Sequence, residues 1–218
     1  MTESFDRNCR SCPRLAAFLD RVARDNPGYY CKPVPPFGAA DARLLIVGLA
    51  PGMHGANRSG RPFTGDHAGI LLYRTLHEFG FSSGPESTSA DDGLHLINCR
   101  ITNAVKCLPP DNKPVGAEIA TCNRYLAGEL HGLASHTLVL ALGGIAHRAV
   151  IRAVRLRQTD YPFAHGMVYR LGAGRQLLDS YHCSRYNTNT GRLTAEMFRD
   201  IFSKARTLLN AQFAVRGA

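Results

Sequence analysis

Four cysteines offer the plainest chemistry in this 218-residue chain. Cys9 and Cys12 form a C-x-x-C pair, and Cys107 and Cys122 follow far downstream. Two thiolates on a single turn can grip one metal or one edge of a cluster, and two distant ones complete a four-cysteine set. A redox dithiol would need a βαβ context that the extreme N-terminus lacks. Spacing alone leaves zinc and an iron–sulfur cluster equally open, with buried unliganded cysteines as a third reading. The other three cysteines, Cys31, Cys99 and Cys183, read as small buried residues or free thiols.

A second concentration of chemistry is GLAPGMHGANRSGRPFTGDHAG, residues 48–69. It holds six glycines, two prolines, two arginines, two histidines and a single carboxylate, Asp66. Loops that long within a compact domain usually serve function, and the glycines suit close backbone approach to a ligand. A third stretch, SYHCSRYNTNTGRLT at residues 180–194, is similarly polar and irregular.

The elements that must position these residues can be read from periodicity. Arg43–Leu49 and Thr137–Gly144 are apolar runs of the kind expected of parallel strands covered on both faces. LHLINCRITNAV reads as strand running into a turn, and MVYRL and RQLLDSY suggest two more strands. Helices are expected over residues 13–26, 68–80, 145–156 and 194–210, with another opened by Pro114. Strands alternating with helices predict an α/β fold with a parallel sheet, whose ligands bind where loops leave the carboxyl ends of strands. Both polar segments occupy that kind of position. The length suits one domain spanning residues 1–218.

The chain carries 26 lysines and arginines against 17 acidic residues, a net charge of +9 that favours polyanionic partners. The polar N-terminus and the lack of a long apolar run predict a cytoplasmic, nucleoid-associated protein without membrane contact.

GLAPGMHGANRSGRPFTGD and SYHCSRYNTNTGRLT resemble the two signature motifs of the family 5 (type b) uracil-DNA glycosylases, within the uracil-DNA glycosylase superfamily. TNAVKCLPPDNKP between them is similar to that family as well, and the resemblance covers about residues 9–205. It implies a three-layer α/β/α sandwich with a central four-stranded, mainly parallel sheet. It also implies a [4Fe–4S] cluster held by Cys9, Cys12, Cys107 and Cys122, and a monomeric, monofunctional enzyme that removes uracil from single- or double-stranded DNA. An enzyme acting on a base inside a duplex must turn it out of the stack, and its transition state pairs an oxocarbenium-like sugar with a departing anionic base.

The resemblance then distributes roles. Asp66 activates water and stabilises the sugar cation, although it could equally cap the helix starting near residue 68. Phe63 stacks on the extruded base, or plugs the underside of the loop. Asn103 reads the pyrimidine edge, because an amide supplies donor and acceptor, or only caps a turn. His182 stabilises charge developing on the base oxygen. Gly48, Ala50 and His54 are expected around the base, and Arg58, Arg61, Arg185, Tyr186, Asn187 and Arg192 along the DNA.

Two departures stand out. Classical relatives carry Gly-Gln-Asp-Pro-Tyr-His where this chain reads Gly48-Leu49-Ala50-Pro51-Gly52-Met53, so Ala50 replaces the usual activating aspartate and the burden moves to Asp66. The loss of a polar group there implies a tolerant pocket that accepts hypoxanthine or xanthine beside uracil. Cys183 stands where the family typically has proline, which bears on the rigidity of residues 182–187. A catalytically silent DNA-binding module and a small-molecule nucleotide enzyme are the competing readings; the second lacks any Walker or dinucleotide fingerprint.

Overall fold

The computed structural model describes residues 5–214, with side chains through Ala211; residues 1–4 and 215–218, the outermost parts of the expected single domain, lie outside the described residues. The order is α1 (Pro13–Asp25), β1 (Phe37–Gly38), β2 (Leu44–Gly48), α2 (Ala56–Ser59), α3 (His67–Glu78), β3 (Cys99–Asn103), α4 (Gly116–Gly132), β4 (Leu138–Leu142), α5 (Gly144–Ala153), β5 (Val168–Gly172), β6 (Arg175–Ser180), α6 (Arg185–Asn189) and α7 (Ala195–Ala214). One six-stranded sheet runs β1-β3-β2-β4-β6-β5.

The inner four strands are parallel to one another, as the apolar runs predict. The sheet is wider than the four strands expected, because β1 and β5 add antiparallel edges. β1 has only two residues, too few to show any periodicity. β5 and β6 form a hairpin whose turn, Ala173–Gly174, takes positive φ at both residues, which reverses the chain instead of launching a crossover helix.

Alternation along the central strands explains the layers. Leu44 and Ile46 of β2 and Leu138, Leu140 and Leu142 of β4 pack on one face with α3 and α7. Leu45 and Val47, with Val139 and Ala141, pack on the other with α4 and α5. Every residue of both strands is buried, and removing each large aliphatic side chain from water stabilises the sheet by roughly 1.5–3 kcal/mol. The result is the α/β/α sandwich. A smaller apolar cluster joins α1 to α4 and contains all four cysteines of the N-terminal set.

Register fixes the functional edge. Gly48 is level with Asn103 across β2 and β3, and Leu142 with Ser180 across β4 and β6, so four strand ends open on one rim. Among the described residues, no helix is long and apolar enough to cross a membrane.

Candidate active site

A cleft of about 480 Å3 lies on that rim. Ala50, Phe63, Asp66, Asn103 and His182 line it, with Arg185, Asn187 and Arg192 at its margin. Residues separated by more than a hundred positions in sequence thus share one cavity.

Asp66 is the N-cap of α3, and its Oδ1 accepts the Gly69 N–H at 2.7 Å. The other carboxylate oxygen faces the glycine loop. A Cβ on Gly55 would stand 2.5 Å from the Asp66 Cβ and 2.7 Å from Oδ2, so the chain can carry only glycine where it passes beneath this side chain. Burial pushes the Asp66 carboxyl above its ordinary value, against the opposing pull of the Gly69 N–H. The capping and catalytic readings of Asp66 fall on different oxygens of one group.

Gly48, at the end of β2, sits beneath the floor. A Cβ there would lie 2.6 Å from the Phe63 ring and nearer still to Asn103 Oδ1. Phe63 holds φ at +55°, which a non-glycine residue takes only when its surroundings impose it. It is buried and stacks on His182, with centroids 5.9 Å apart and planes at 27°. Asn103 is only 3% exposed, and its Oδ1 has no hydrogen-bond partner among the described residues. A buried, unsatisfied amide oxygen facing a cleft is costly unless a ligand supplies a donor.

His182 follows β6 and also keeps a buried ring nitrogen, Nδ1, without a partner. Burial pulls its pKa down to about 4, so the imidazole is neutral near pH 7 and donates through a single N–H. Cys183 beyond it is fully buried in the core. The loop is held by other means than proline: Asn187 Nδ2 donates to the His182 carbonyl at 2.8 Å, and Ser184 caps α6.

Several expected residues lie elsewhere. His54 is exposed and bonds the Tyr29 hydroxyl at 2.9 Å, outside the cleft lining. Arg61 is 4% exposed, pairs with Asp92 at 2.8 Å and lies over the Phe37 ring, so its guanidinium is an internal brace for the 86–92 loop and not a surface contact. Arg58 and Tyr186 are exposed but do not line the cleft.

The structure also adds residues that the motifs do not mark. Leu142, Gly143 and Gly144 bring the N-terminus of α5 to the cleft, and Phe163 and Tyr181 form its far wall. A buried network holds that wall: His147 Nδ1 meets Asp179 Oδ1 at 2.8 Å and Nε2 meets the Tyr161 carbonyl at 2.7 Å. His165 then stacks on Tyr181 and accepts its backbone N–H. TLVLALGG carries a signal for the α5 contribution, since glycines closing a buried strand mark a loop at the rim; nothing local marks Phe163.

Cys9, Cys12, Cys107 and Cys122 line a separate small cavity with Leu15, Pro33 and Tyr125. Among the described residues, no three side chains of the metal-ligating types close around a single ion position. The four thiols nonetheless share one cavity. Burial and the neighbouring sulfurs push Cys107 up to about 12, a penalty that a cationic group bound among the sulfurs reverses. Hydrogen-bond donors flank the set: Arg124 Nη2 reaches Cys9 Sγ at 3.5 Å, and the Lys106 backbone N–H donates to Cys122 Sγ at 3.3 Å.

A family profile described as the uracil DNA glycosylase superfamily matches residues 35–206. The chain is 49% identical over 206 residues to the type-5 uracil-DNA glycosylase of Thermus thermophilus, covering 92% of this chain and 93% of the relative. It is 46% identical to a protein of the same name from Mycobacterium tuberculosis, covering 92% and 78%, and 42% identical to one from Pyrobaculum aerophilum, covering 91% and 88%.

Proposed function

The chain belongs to the uracil DNA glycosylase superfamily, and we propose that it is a DNA-repair glycosylase that turns uracil out of DNA and hydrolyses its N-glycosyl bond, leaving an abasic site. One observation carries the reading: Asp66, Asn103, Phe63 and His182 face a single cleft at the carboxyl ends of the parallel strands.

Each group then has a task set by its atoms. The extruded base enters beside Phe63, and the unsatisfied Asn103 Oδ1 accepts the N3–H of uracil while the same amide donates to the exocyclic oxygen. Cytosine presents no N–H at that ring position, so its entry leaves the buried oxygen unpaired. As the bond to the sugar lengthens, negative charge grows on the base and positive charge on the sugar. The neutral His182 imidazole donates its N–H to the developing oxyanion. The free oxygen of Asp66 stabilises the sugar cation and takes the proton of the attacking water, while Oδ1 keeps the carboxylate aimed through Gly69. With water as the nucleophile, the reaction is monofunctional and leaves the sugar–phosphate backbone intact.

Cys9, Cys12, Cys107 and Cys122 would hold a [4Fe–4S] cluster. When bound, it supplies a cross-link between the segment before α1, the turn after β3 and α4, with no open iron for reaction. The protein acts as a monomer and as one domain, on single- or double-stranded DNA. With only a methyl at Ala50, the pocket also accepts hypoxanthine or xanthine.

The test is a set of oligonucleotides carrying one uracil, hypoxanthine, xanthine or no lesion, incubated with the cluster-containing protein and then treated with alkali. Cleavage at uracil supports the reading. An unbroken uracil strand overturns it, and cleavage at uracil alone removes the wider base range.

A further inference from the structure

Beside the cleft runs a second groove of about 550 Å3, and the two share Asp66, His67 and Arg185 as a common wall. One bank is the outer ridge of α3, where His67, Ile70 and Arg74 recur at helical spacing. The other is the segment from Pro85 to Thr88. That bank is fixed in place: Ser87 accepts the Gly65 N–H and pairs with Thr64, and the Thr88 N–H donates to Asp92, which Arg61 holds from behind.

Three guanidiniums, of Arg58, Arg74 and Arg185, line this groove. Ion pairs among the described residues engage none of them, and all three side chains belong to exposed residues. Glu86 is the only carboxylate there apart from Asp66. Ile70 adds an apolar surface that is 59% exposed on an otherwise polar ridge. Unpaired arginines in a row suit successive phosphate oxygens, and an exposed aliphatic between them suits the sugar faces of the same strand.

We propose that this groove carries the lesion-bearing DNA strand on one side of the extruded nucleotide, with Arg74 as a phosphate contact at its outer end. The inference rests on the glycosylase reading for the identity of the polymer. It goes beyond that reading in routing the strand over α3 and in assigning Arg74, Ile70 and Thr88, which stand apart from the signature motifs. A free phosphate or a short acidic peptide would need one pocket; cations spread from α2 across α3 to α6 favour a chain with repeating charge.

Arg74 is not among the residues that line the cleft, so Arg74→Ala tests the groove at a position outside it. Two readouts are used: anisotropy of a labelled, uracil-free duplex over a salt series, and steady-state release of uracil. The proposal expects weaker binding to uracil-free DNA, a KM raised by about threefold to tenfold, kcat within about twofold, and a plot of log affinity against log salt flatter by about 0.9, the value for one lost phosphate contact. Arg74→Lys keeps most of the salt slope, because a charge remains. Unchanged affinity and slope in Arg74→Ala overturn the groove even if uracil is released normally. Weaker, less salt-dependent binding by a protein that releases no uracil supports the groove and overturns the glycosylase reading instead.

Discussion

Replacing Asp66 by asparagine and by alanine separates its helix-capping role from the catalytic role proposed for it. Asparagine keeps an oxygen for the Gly69 N–H, and it caps helices about as well as aspartate. It forfeits the favourable charge at the start of α3, worth about 0.3–1 kcal/mol, but also relieves the burial that pushes this carboxyl upward. These terms oppose each other, so Asp66→Asn melts close to the parent protein. Alanine removes the cap at a cost of about 1 kcal/mol. For a chain of this size that is a fall in Tm of about 2–4 °C. On the rate, the two variants behave alike, because neither carries a carboxylate. Loss of a general base typically costs about 100-fold to 10,000-fold, and that loss is expected in single-turnover release of uracil. The parent rate also falls on the acid side as Asp66 takes a proton, at a pH above the usual carboxylate range because burial raises its pKa. The acid limb is absent in both variants. Thermal melts and single-turnover assays on the three proteins decide the matter. An Asp66→Asn protein that keeps its rate within tenfold of the parent, while Asp66→Ala loses it, would show that the cap and not the charge is what the reaction needs.

Other perturbations address the remaining groups. Gly48→Ala drives a methyl into Phe63 and Asn103, so uracil release is expected to collapse while a melting curve shows a loss of about 1–3 kcal/mol, the range for an overpacked core; a parental rate refutes the tight floor. His182 is neutral in the folded protein down to about pH 4 but protonates near 6.5 when unfolded, so its burial makes stability fall as pH drops from about 6.5 through 4. His182→Asn removes that part of the pH dependence, and a parental rate profile with an inflection near 6.5 that this variant abolishes refutes a neutral imidazole. Cys107→Ala is expected to lower iron and sulfide content together with visible absorption, whereas full retention of iron in the purified variant excludes Cys107 as a ligand.

How far the sequence could be read depended on whether a signal was local. The central strands β2 and β4 were legible because Leu44–Val47 and Leu138–Leu142 are apolar at every position, the pattern of a strand covered on both faces. β1 was not, since two residues paired to β3 leave no pattern. Asp66, Asn103 and His182 were legible through their motifs, yet their convergence is a product of register, which aligns Gly48 with Asn103 and brings β6 to the same rim. Arg61 misled because an arginine in a glycine-rich loop looks solvent-facing; its partner Asp92 lies across a polar segment that reads as plain surface. His54 misled by proximity, being a few residues from Ala50 but turned outward onto Tyr29. Phe163 was invisible because non-local contacts carry its segment to the cleft: His147 meets the Tyr161 carbonyl, and the Phe163 ring packs on His147 and Tyr181.

The placement of the carboxylate explains why Ala50 is tolerated. In the proposed reaction the cleft holds Asp66 ionised while a second negative charge grows on the departing base, and two anions in one cavity repel. Partial positive charge from two helix N-termini answers this: α3 begins at Asp66 itself, and α5 begins at the Gly143–Gly144 edge of the same cleft. Position 50 lies just past the exit of β2, whereas Asp66 caps α3 and accepts the Gly69 N–H that fixes and stabilises it. Moving the carboxylate from the strand end to the helix cap therefore couples the catalytic charge to the fold. In that reaction the Gly69 hydrogen bond that starts α3 also orients the group proposed to act on the sugar, and the neutral His182 is left to serve the base oxygen.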